Sequence, residues 1–231
     1  MLELTDINTF YGEAHILQNV SLRVEKGETV ALLGRNGAGK TTTLRTIMGL
    51  TPAKKGQVVF KGLDITKLPT YIISRMGIGW VPDNRRIFPT STVQMNLEIA
   101  RRDDRHKEWN LQEIYKYFPT LEKLKNHKGE YLSGGERQML SMARTLMGNP
   151  ELLLLDEPSE GLAPKIVREV MNIISELQKR EHSILLVEQN SVLALAVSNR
   201  CYVMDKGRII QQSSAEELDK DKELKKELLG I

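Results

Sequence analysis

The stretch Gly34-Arg35-Asn36-Gly37-Ala38-Gly39-Lys40-Thr41, followed by Thr42, is the most informative part of this 231-residue chain. Residues 28–33 precede it as an apolar run that predicts a buried strand, and residues 43–50 follow it as a predicted helix. A glycine, four residues and then Gly-Lys-Thr form the phosphate-binding loop pattern. The strand before it and the helix after it favour this interpretation over a Gly-rich turn that matches by chance.

The residue types in this loop suit the binding of a polyphosphate and a metal ion. Glycines let the backbone curl so that successive N–H groups form an anion cradle, and the following helix adds the positive end of its dipole. Lys40 supplies a mobile cation for the β- and γ-phosphates. The hydroxyl of Thr41 is placed to ligate Mg²⁺.

Composition limits what kind of protein this chain can be. Hydrophobic residues make up 40% and charged residues 27% of it, which predicts one sizeable core with a smaller lobe in a single domain. A formal charge of +3 argues against a strongly nucleic-acid-binding surface. The single cysteine, Cys201, excludes an intramolecular disulfide, fits a reducing compartment and is interpreted as a small core residue.

The sequence contains no run of roughly 18 apolar residues, the length needed to span a bilayer. Its start lacks the basic and apolar regions of a signal peptide. We therefore expect the chain to stay in the cytoplasm and to act at a membrane only by docking on a protein that spans it.

A change of composition near residue 90 predicts a helical insertion, because apolar residues recur at helical spacing between Val93 and Leu124. The charged run at 101–108 is interpreted as a solvated loop, and His106 and His127 as surface residues without metal-ligand spacing. Period-two alternation over residues 2–33 predicts half-buried strands, and Tyr11 lies in a short loop between them. Its ring either stacks on a purine or packs in the core.

Two later motifs also carry chemistry. Ser133 is predicted to cap a helix from about Glu136 to Met147, where an unpaired Ser-Gly-Gly is either a second anion site or an ordinary cap. The apolar strand at 152–155 ends in Asp156 and Glu157. In a chain with a phosphate loop, the first carboxylate suits Mg²⁺ and the second suits a general base that polarises water.

The remaining predicted elements follow from apolar patterning and capping signals. They are a strand at 55–62, a strand at 78–81 stopped by Pro82, a helix over 164–180, a buried strand at 184–187, a hairpin at 204–209 and a charged helix that opens with a capping box at 214–217.

Together these motifs resemble the ATP-binding subunits of ABC transporters over nearly the whole chain. The phosphate loop, then Leu132-Ser133-Gly134-Gly135-Glu136-Arg137-Gln138, then Leu152–Glu157 follow in the family's order and spacing, and the middle segment is the ABC signature. Within the family the chain is most similar to the smaller ATPase of branched-chain amino acid importers. The segments behind this finer likeness are the phosphate loop itself, 85–89, 158–164 and 185–190, which importers of urea or short amides share.

The resemblance implies an α/β fold with a phosphate-loop NTPase core and a mostly parallel central sheet. An N-terminal antiparallel β subdomain and an inserted helical subdomain at approximately 88–150 complete one ABC ATPase domain over residues 1–231. The implied activity is ATP hydrolysis coupled to transmembrane transport, with ATP and Mg²⁺ as cofactors.

The resemblance also implies roles for individual residues. Tyr11 stacks on adenine, residues 133–135 contact the γ-phosphate held by an opposite subunit, and Glu157 is the base for the attacking water. Residues 159–162 lie at the dimer seam and 83–89 face the membrane subunit. The implied cofactor-binding residues are Tyr11, Gly34, Arg35, Asn36, Gly37, Ala38, Gly39, Lys40, Thr41, Thr42, Ser133, Gly134, Gly135 and Glu136; the metal-binding residues are Thr41, Asp83 and Asp156; the catalytic residues are Glu157, Gln189 and Lys40.

Two of these positions depart from the common ABC pattern. Asp83 stands where a glutamine is usual, and its shorter carboxylate reaches Mg²⁺ only through a water or a loop shift. Gln189 replaces the usual switch histidine, and an amide donates a hydrogen bond to a γ-phosphate oxygen but carries no charge. We expect activity to survive both changes.

The implied partners are integral membrane permease subunits, a second ABC ATPase (a second copy or a larger sister chain) and an extracytoplasmic solute-binding protein. The expected location is the cytoplasmic face of the membrane, without direct contact to nucleic acid. Two alternatives stay open: a soluble ABC ATPase unconnected with transport, and a nucleotide-binding regulatory module without turnover.

Overall fold

The computed structural model describes residues 1–102 and 108–221, which form two sheets and a set of helices. The strands are β1 (Leu2–Tyr11), β2 (Ala14–Val24), β3 (Thr29–Leu33), β4 (Lys55–Phe60), β5 (Leu63–Asp64), β6 (Ile78–Val81), β7 (Leu152–Asp156), β8 (Ser183–Glu188), β9 (Arg200–Asp205) and β10 (Arg208–Ser214). The α-helices are α1 (Lys40–Ile47), α2 (Thr70–Met76), α3 (Val93–Glu98), α4 (Leu111–Tyr117), α5 (Pro119–Lys123), α6 (Gly134–Met147), α7 (Pro164–Lys179), α8 (Ser191–Leu195) and α9 (Ala215–Lys220).

The larger sheet has the strand order β10-β9-β3-β8-β7-β6. All neighbours from β9 to β6 run parallel, and only the edge strand β10 is antiparallel. Every residue of β3, β7 and β8 is buried, as expected for apolar strands covered on both faces. The mostly parallel sheet predicted for this chain is confirmed.

The smaller sheet has the order β2-β1-β4-β5 and is antiparallel throughout. The alternating side chains of β1 and β2 that point inward pack with α1 and one face of the larger sheet in a common hydrophobic cluster. Helices α3–α7 cover the other face and share a second cluster with it. The two sheets therefore enclose α1, the helix that follows the phosphate loop.

Parallel strands bring the loops after their carboxyl ends to one edge of the sheet, where open α/β proteins bind ligands. The loops after β3, β6, β7 and β8 meet at this edge. They contain, in that order, the phosphate loop, Asp83, Glu157 and Gln189. The sheet order thus gathers residues that lie more than a hundred positions apart in the sequence.

Several local predictions are confirmed, with shifted boundaries. The strand at Ile78–Val81, the helix from Pro164 and the capping box at Ser214 are present. The predicted helical insertion is three short helices before α6, and α1 and α6 each begin earlier than expected, at Lys40 and Gly134.

The predicted environments of Cys201 and His127 agree with the structure. Cys201 is buried in β9, and His127 is exposed. His106 and most of the charged run at 101–108 lie outside the described residues. Across the described parts of the chain, no helix combines the length and apolar character that crossing a membrane requires.

Candidate functional site

The carboxyl edge of the large sheet opens into a cleft of about 440 Å³. It lies between the phosphate loop, the hairpin that joins β1 to β2 and the turn after β7. Its lining residues are Tyr11, Ile16, Asn36, Gly37, Gly39, Lys40, Thr41, Thr42, Asp83, Glu157 and Glu160. The structure therefore brings together half of the predicted nucleotide residues, the predicted base and two predicted metal residues, Thr41 and Asp83.

The phosphate loop keeps its shape through two glycines with left-handed backbone conformations. Gly39 precedes α1 at φ 112°, and a Cβ there would lie 2.9 Å from Leu17 Cδ2. Gly37, at φ 81°, has open space where a Cβ would project. No side chain caps the N-terminus of α1. Its first N–H groups and its dipole are therefore directed at the loop, as an anion cradle requires.

Lys40 is buried and makes three polar contacts. Its Nζ donates hydrogen bonds to the carbonyl oxygens of Gly34, at 2.8 Å, and Arg35, at 3.2 Å. The same atom forms an ion pair with Glu157 Oε1 at 2.9 Å. Because a buried charge is costly unless it is paired, this network explains how Lys40 is held inside the loop. It also places the predicted base within reach of the phosphate cradle.

Asp156 is fully buried at the end of β7, and Thr41 Oγ1 donates a hydrogen bond to its Oδ1 at 2.9 Å. Burial raises the pKa of Asp156 to about 7; the bond from Thr41 opposes this rise, and the charges of Asp83 and Glu157 add to it. Its Oδ2 has no hydrogen-bond partner among the described residues.

An orphaned, buried carboxylate oxygen beside a threonine hydroxyl fits a hard divalent cation, since Mg²⁺ prefers oxygen ligands. Within residues 1–102 and 108–221, no three His, Cys, Asp or Glu side chains gather as a metal site. Mg²⁺ held here would therefore take further ligands from phosphate oxygens and water, its usual manner in nucleotide sites.

The two unusual positions differ in their placement. Asp83 lines the cleft. Gln189 is exposed just beyond β8 and lies outside the set of described residues that line the cleft.

Two acidic residues received no cleft role from the sequence. Glu160, predicted only for a dimer seam, lines the cleft, and the hydrogen bond and charge of Glu157 raise its pKa. Glu188 is buried at the end of β8, and its Oε1 accepts a hydrogen bond from the backbone N–H of Ser159 at 3.1 Å. A glutamate that ends a run of apolar residues was the available signal for Glu188.

Tyr11 is not a packed core aromatic, because 43% of its surface is exposed at the mouth of the cleft. Its hydroxyl accepts a hydrogen bond from Thr51 Oγ1 at 3.4 Å. The hydrogen bond therefore fixes the hydroxyl end of the Tyr11 side chain, while much of the ring remains exposed to solvent.

The signature segment lies outside the cleft. Ser133 Oγ accepts from the N–H of Glu136 at 3.3 Å, while Glu136 Oε2 accepts from the N–H of Ser133 at 2.7 Å. The serine is engaged in a capping box, which confirms that Ser133 caps this helix. The role of Ser-Gly-Gly as an anion site stays a prediction. Ser133 and Gly134 are exposed, and Gly135 packs so closely that a Cβ there would lie 2.9 Å from Ile166.

Comparison with known proteins agrees with this geometry. The ABC transporter family profile matches residues 17–160. This chain belongs to the ABC transporter family. The branched-chain amino acid transport ATP-binding protein BraG of Pseudomonas aeruginosa is 38% identical over 232 residues, which cover 100% of both chains. The lipopolysaccharide export ATP-binding protein LptB of Escherichia coli K12 is 36% identical over 225 residues, covering 95% of this chain and 93% of LptB.

Among solved structures, a dimeric post-hydrolysis state of the ATP-binding cassette MJ0796 with ADP and Pi superposes with a TM-score of 0.82 and 25% identity. The match covers 93% of this chain and 99% of that cassette. The resemblance to ABC ATPases is therefore confirmed: this ABC protein has the fold of the family, binds adenine nucleotide and is the ATPase subunit of a transporter.

Proposed function

We propose that this ABC ATPase powers the import of branched-chain amino acids through a membrane permease. The observation that carries this proposal is the 38% identity to BraG over the full length of both chains. In the proposed system the chain is attached to the cytoplasmic face of the membrane, and an extracytoplasmic binding protein delivers the solute. The helical segment at approximately 88–150 is a subdomain within one domain that spans residues 1–231.

In the proposed reaction, Glu157 is the general base that takes a proton from the attacking water. Its carboxylate lies 2.9 Å from Lys40 Nζ, so a γ-phosphate in the cradle competes with Glu157 for this ammonium group. Moving Lys40 towards the phosphate releases the carboxylate for the water, and Gln189 donates to a γ-phosphate oxygen from the loop after β8. Tyr11 offers its exposed ring to adenine.

Thr41 and Asp156 hold Mg²⁺ in this proposal, with Asp83 acting through a water. The metal ion supplies positive charge that offsets the charge developing on the phosphoryl oxygens. Binding of the metal requires Asp156 in its ionised form. Because burial raises the pKa of this carboxyl to about 7, Asp156 would have to lose a proton to act as a ligand near neutral pH.

The proposed working unit is a dimer in which two ATP molecules lie between the chains. One chain offers its cleft, and the other offers the exposed tip of α6 with Ser133, Gly134 and Gly135. Support comes from the placement of this tip outside the cleft of its own chain and from the dimer formed by the MJ0796 cassette. The partner is a second copy or a sister ATPase. Hydrolysis removes the γ-phosphate contacts that hold the chains together.

The similarity to LptB favours a second candidate, the export of a glycolipid. Transport measurements separate the two functions. The chain is reconstituted in vesicles with candidate permease subunits and a candidate solute-binding protein from its own organism, and uptake of labelled leucine is followed with ATP inside. We expect ATP-dependent uptake that needs the binding protein and stops in the Glu157→Gln variant. ATP hydrolysis without leucine uptake, stimulated instead by lipopolysaccharide, would overturn the import proposal.

A further inference from the structure

The loop after β6 contains an arginine, Arg85, whose side chain turns towards two other loops. Its backbone is left-handed at φ 52°, and its N–H donates to the carbonyl oxygen of Pro82 at 3.3 Å. Non-glycine residues seldom adopt this conformation, which persists where the surroundings impose it. The half-buried position of Arg85 agrees with such a constraint.

The guanidinium group of Arg85 bridges two segments of its own chain. Nη2 donates a short hydrogen bond to the carbonyl oxygen of Glu160. A Cβ on Gly161 would lie 3.5 Å from this nitrogen, and a Cβ on Gly134 would lie 3.2 Å from Nη1. The two glycines thus leave the space that the planar group occupies between the turn after β7 and the tip of α6.

The turn that Arg85 contacts is the turn that contains the predicted base. The N–H of Glu160 donates to the carbonyl oxygen of Glu157 at 3.1 Å, which closes this turn. Its other side is attached to β8, because Glu188 Oε1 accepts from the N–H of Ser159. Arg85 is therefore hydrogen-bonded to a turn anchored in the core and lies against a helix tip that is exposed.

We propose that Arg85 is a positioning residue that makes the cleft of one chain and its α6 tip move together. This inference rests on the proposed dimer, in which the two segments serve different ATP molecules. An ATP that draws Glu157 and its turn into place in one cleft then orients, through Arg85, the helix tip that closes the other cleft. The two ATP sites become coupled within each chain.

The geometry requires a planar group that donates on one side and packs against Gly134 on the other, and not merely a positive charge. Arginine presents nitrogens on two sides of a rigid plane, one for the carbonyl of Glu160 and one beside Gly134. Lysine keeps the charge but has a single nitrogen, so it cannot make both contacts. Asparagine tolerates the left-handed backbone but is too short to make either.

The test compares Arg85→Lys and Arg85→Asn with a matched control, Arg208→Ala, which removes an arginine that donates to Gln18 on the β10 side of the molecule. ATP-driven dimerisation is measured by light scattering in a Glu157→Gln background, beside the affinity of the monomer for a fluorescent ATP analogue. The value of kcat is measured for the same substitutions in a chain that keeps Glu157. We expect both Arg85 variants to weaken dimerisation and to lower kcat about tenfold, within the range of measured coupling effects. Monomer affinity should stay unchanged, and the control should match its parent.

Wild-type dimerisation and kcat in both variants would overturn the positioning role, and so would full activity in Arg85→Lys, which would reduce the role to charge. If Arg85→Asn does not fold, as judged by thermal unfolding, Arg85→Lys decides alone. Failure of the Glu157→Gln parent to dimerise with ATP, both alone and when mixed with a sister ATPase, contradicts the proposed dimer. This outcome is distinct from a loss confined to the Arg85 variants.

Discussion

The phosphate loop and the tip of α6 are both helix N-termini, but only the phosphate loop is surrounded by buried polar contacts with other segments of the chain. Around the phosphate loop, Lys40 is buried and ion-paired, and Asp156 and Thr41 are joined by a hydrogen bond. At the tip of α6, the polar contacts of Ser133 are with Glu136, within the helix itself. One chain therefore builds a cleft for a nucleotide and leaves exposed the helix tip that we propose as its complement in a partner chain.

The two helix tips also differ in how their N–H groups are used. No side chain caps α1, whereas α6 has a complete capping box. An uncapped buried tip gains most from a ligand that supplies the missing acceptors. A capped, exposed tip is stable without a ligand, so it remains available to contact a partner chain. We therefore expect damage on the α1 side to abolish chemistry and damage on the α6 side to affect association.

The largest effect should come from Glu157→Gln on the cleft side. Removing the base should lower kcat by roughly 10²- to 10⁴-fold, the usual contribution of general base catalysis. ATP binding should survive, because the phosphate loop and Asp156 remain. The variant should therefore accumulate as an ATP-bound dimer, which gel filtration with and without ATP detects. Normal hydrolysis in this variant would show that another group is the base.

How much of this site the sequence predicts depends on the distance over which each contact is made. The phosphate loop, Asp156 and Glu157 were predictable, because a short motif fixes the local backbone and the parallel sheet gathers strand ends. The pairing of Glu188 with Ser159 and that of Arg85 with Glu160 were not. Both join segments 29 or 75 residues apart, so their geometry depends on tertiary packing and turn conformations.

Tertiary packing also explains why the sequence predicts the surroundings of Ser133 and Tyr11 only in part. The capping box at α6 was half predicted, since a serine before a helix was recognised but its reciprocal partner Glu136 was assigned to nucleotide binding alone. The exposure of Tyr11 depends on how the β1–β2 hairpin lies over the cleft, which local alternation does not fix. Sequence patterns therefore identify which residues can bind, and packing decides which of them are available.

A second prediction concerns the pH dependence of stability and isolates the contribution of the buried carboxyl of Asp156. The pKa of Asp156 is about 7 in the folded chain against an ordinary 3.8, so the folded state binds this proton more tightly than the unfolded state. The stabilisation is full below the ordinary pKa and is lost as pH rises through about 7. Without nucleotide or metal, unfolding free energy should fall across this window by on the order of a few kcal/mol.

Asp156→Asn is the matched comparison, because an amide resembles the protonated carboxyl and does not titrate. Urea unfolding of both proteins between pH 4 and pH 8 should give curves that coincide near the acid end and diverge as pH rises, with the variant more stable at pH 8. Other groups titrate in both proteins and cancel in the difference. A difference that is flat with pH would mean that Asp156 is already ionised in the folded chain.

The smallest expected effect comes from comparing two capping boxes, those of α6 and α9. Ser133 caps α6 at the exposed tip, and Ser214 caps α9 with the same reciprocal arrangement to Glu217. Loss of an N-cap serine costs about 1 kcal/mol of stability, so Ser133→Ala and Ser214→Ala should lower the unfolding free energy alike. Only Ser133→Ala should also weaken ATP-driven dimerisation in the Glu157→Gln background. If the two variants dimerise equally well, the hydroxyl of Ser133 serves its own helix and the ATP contact of this tip must come from the backbone of Gly134 and Gly135.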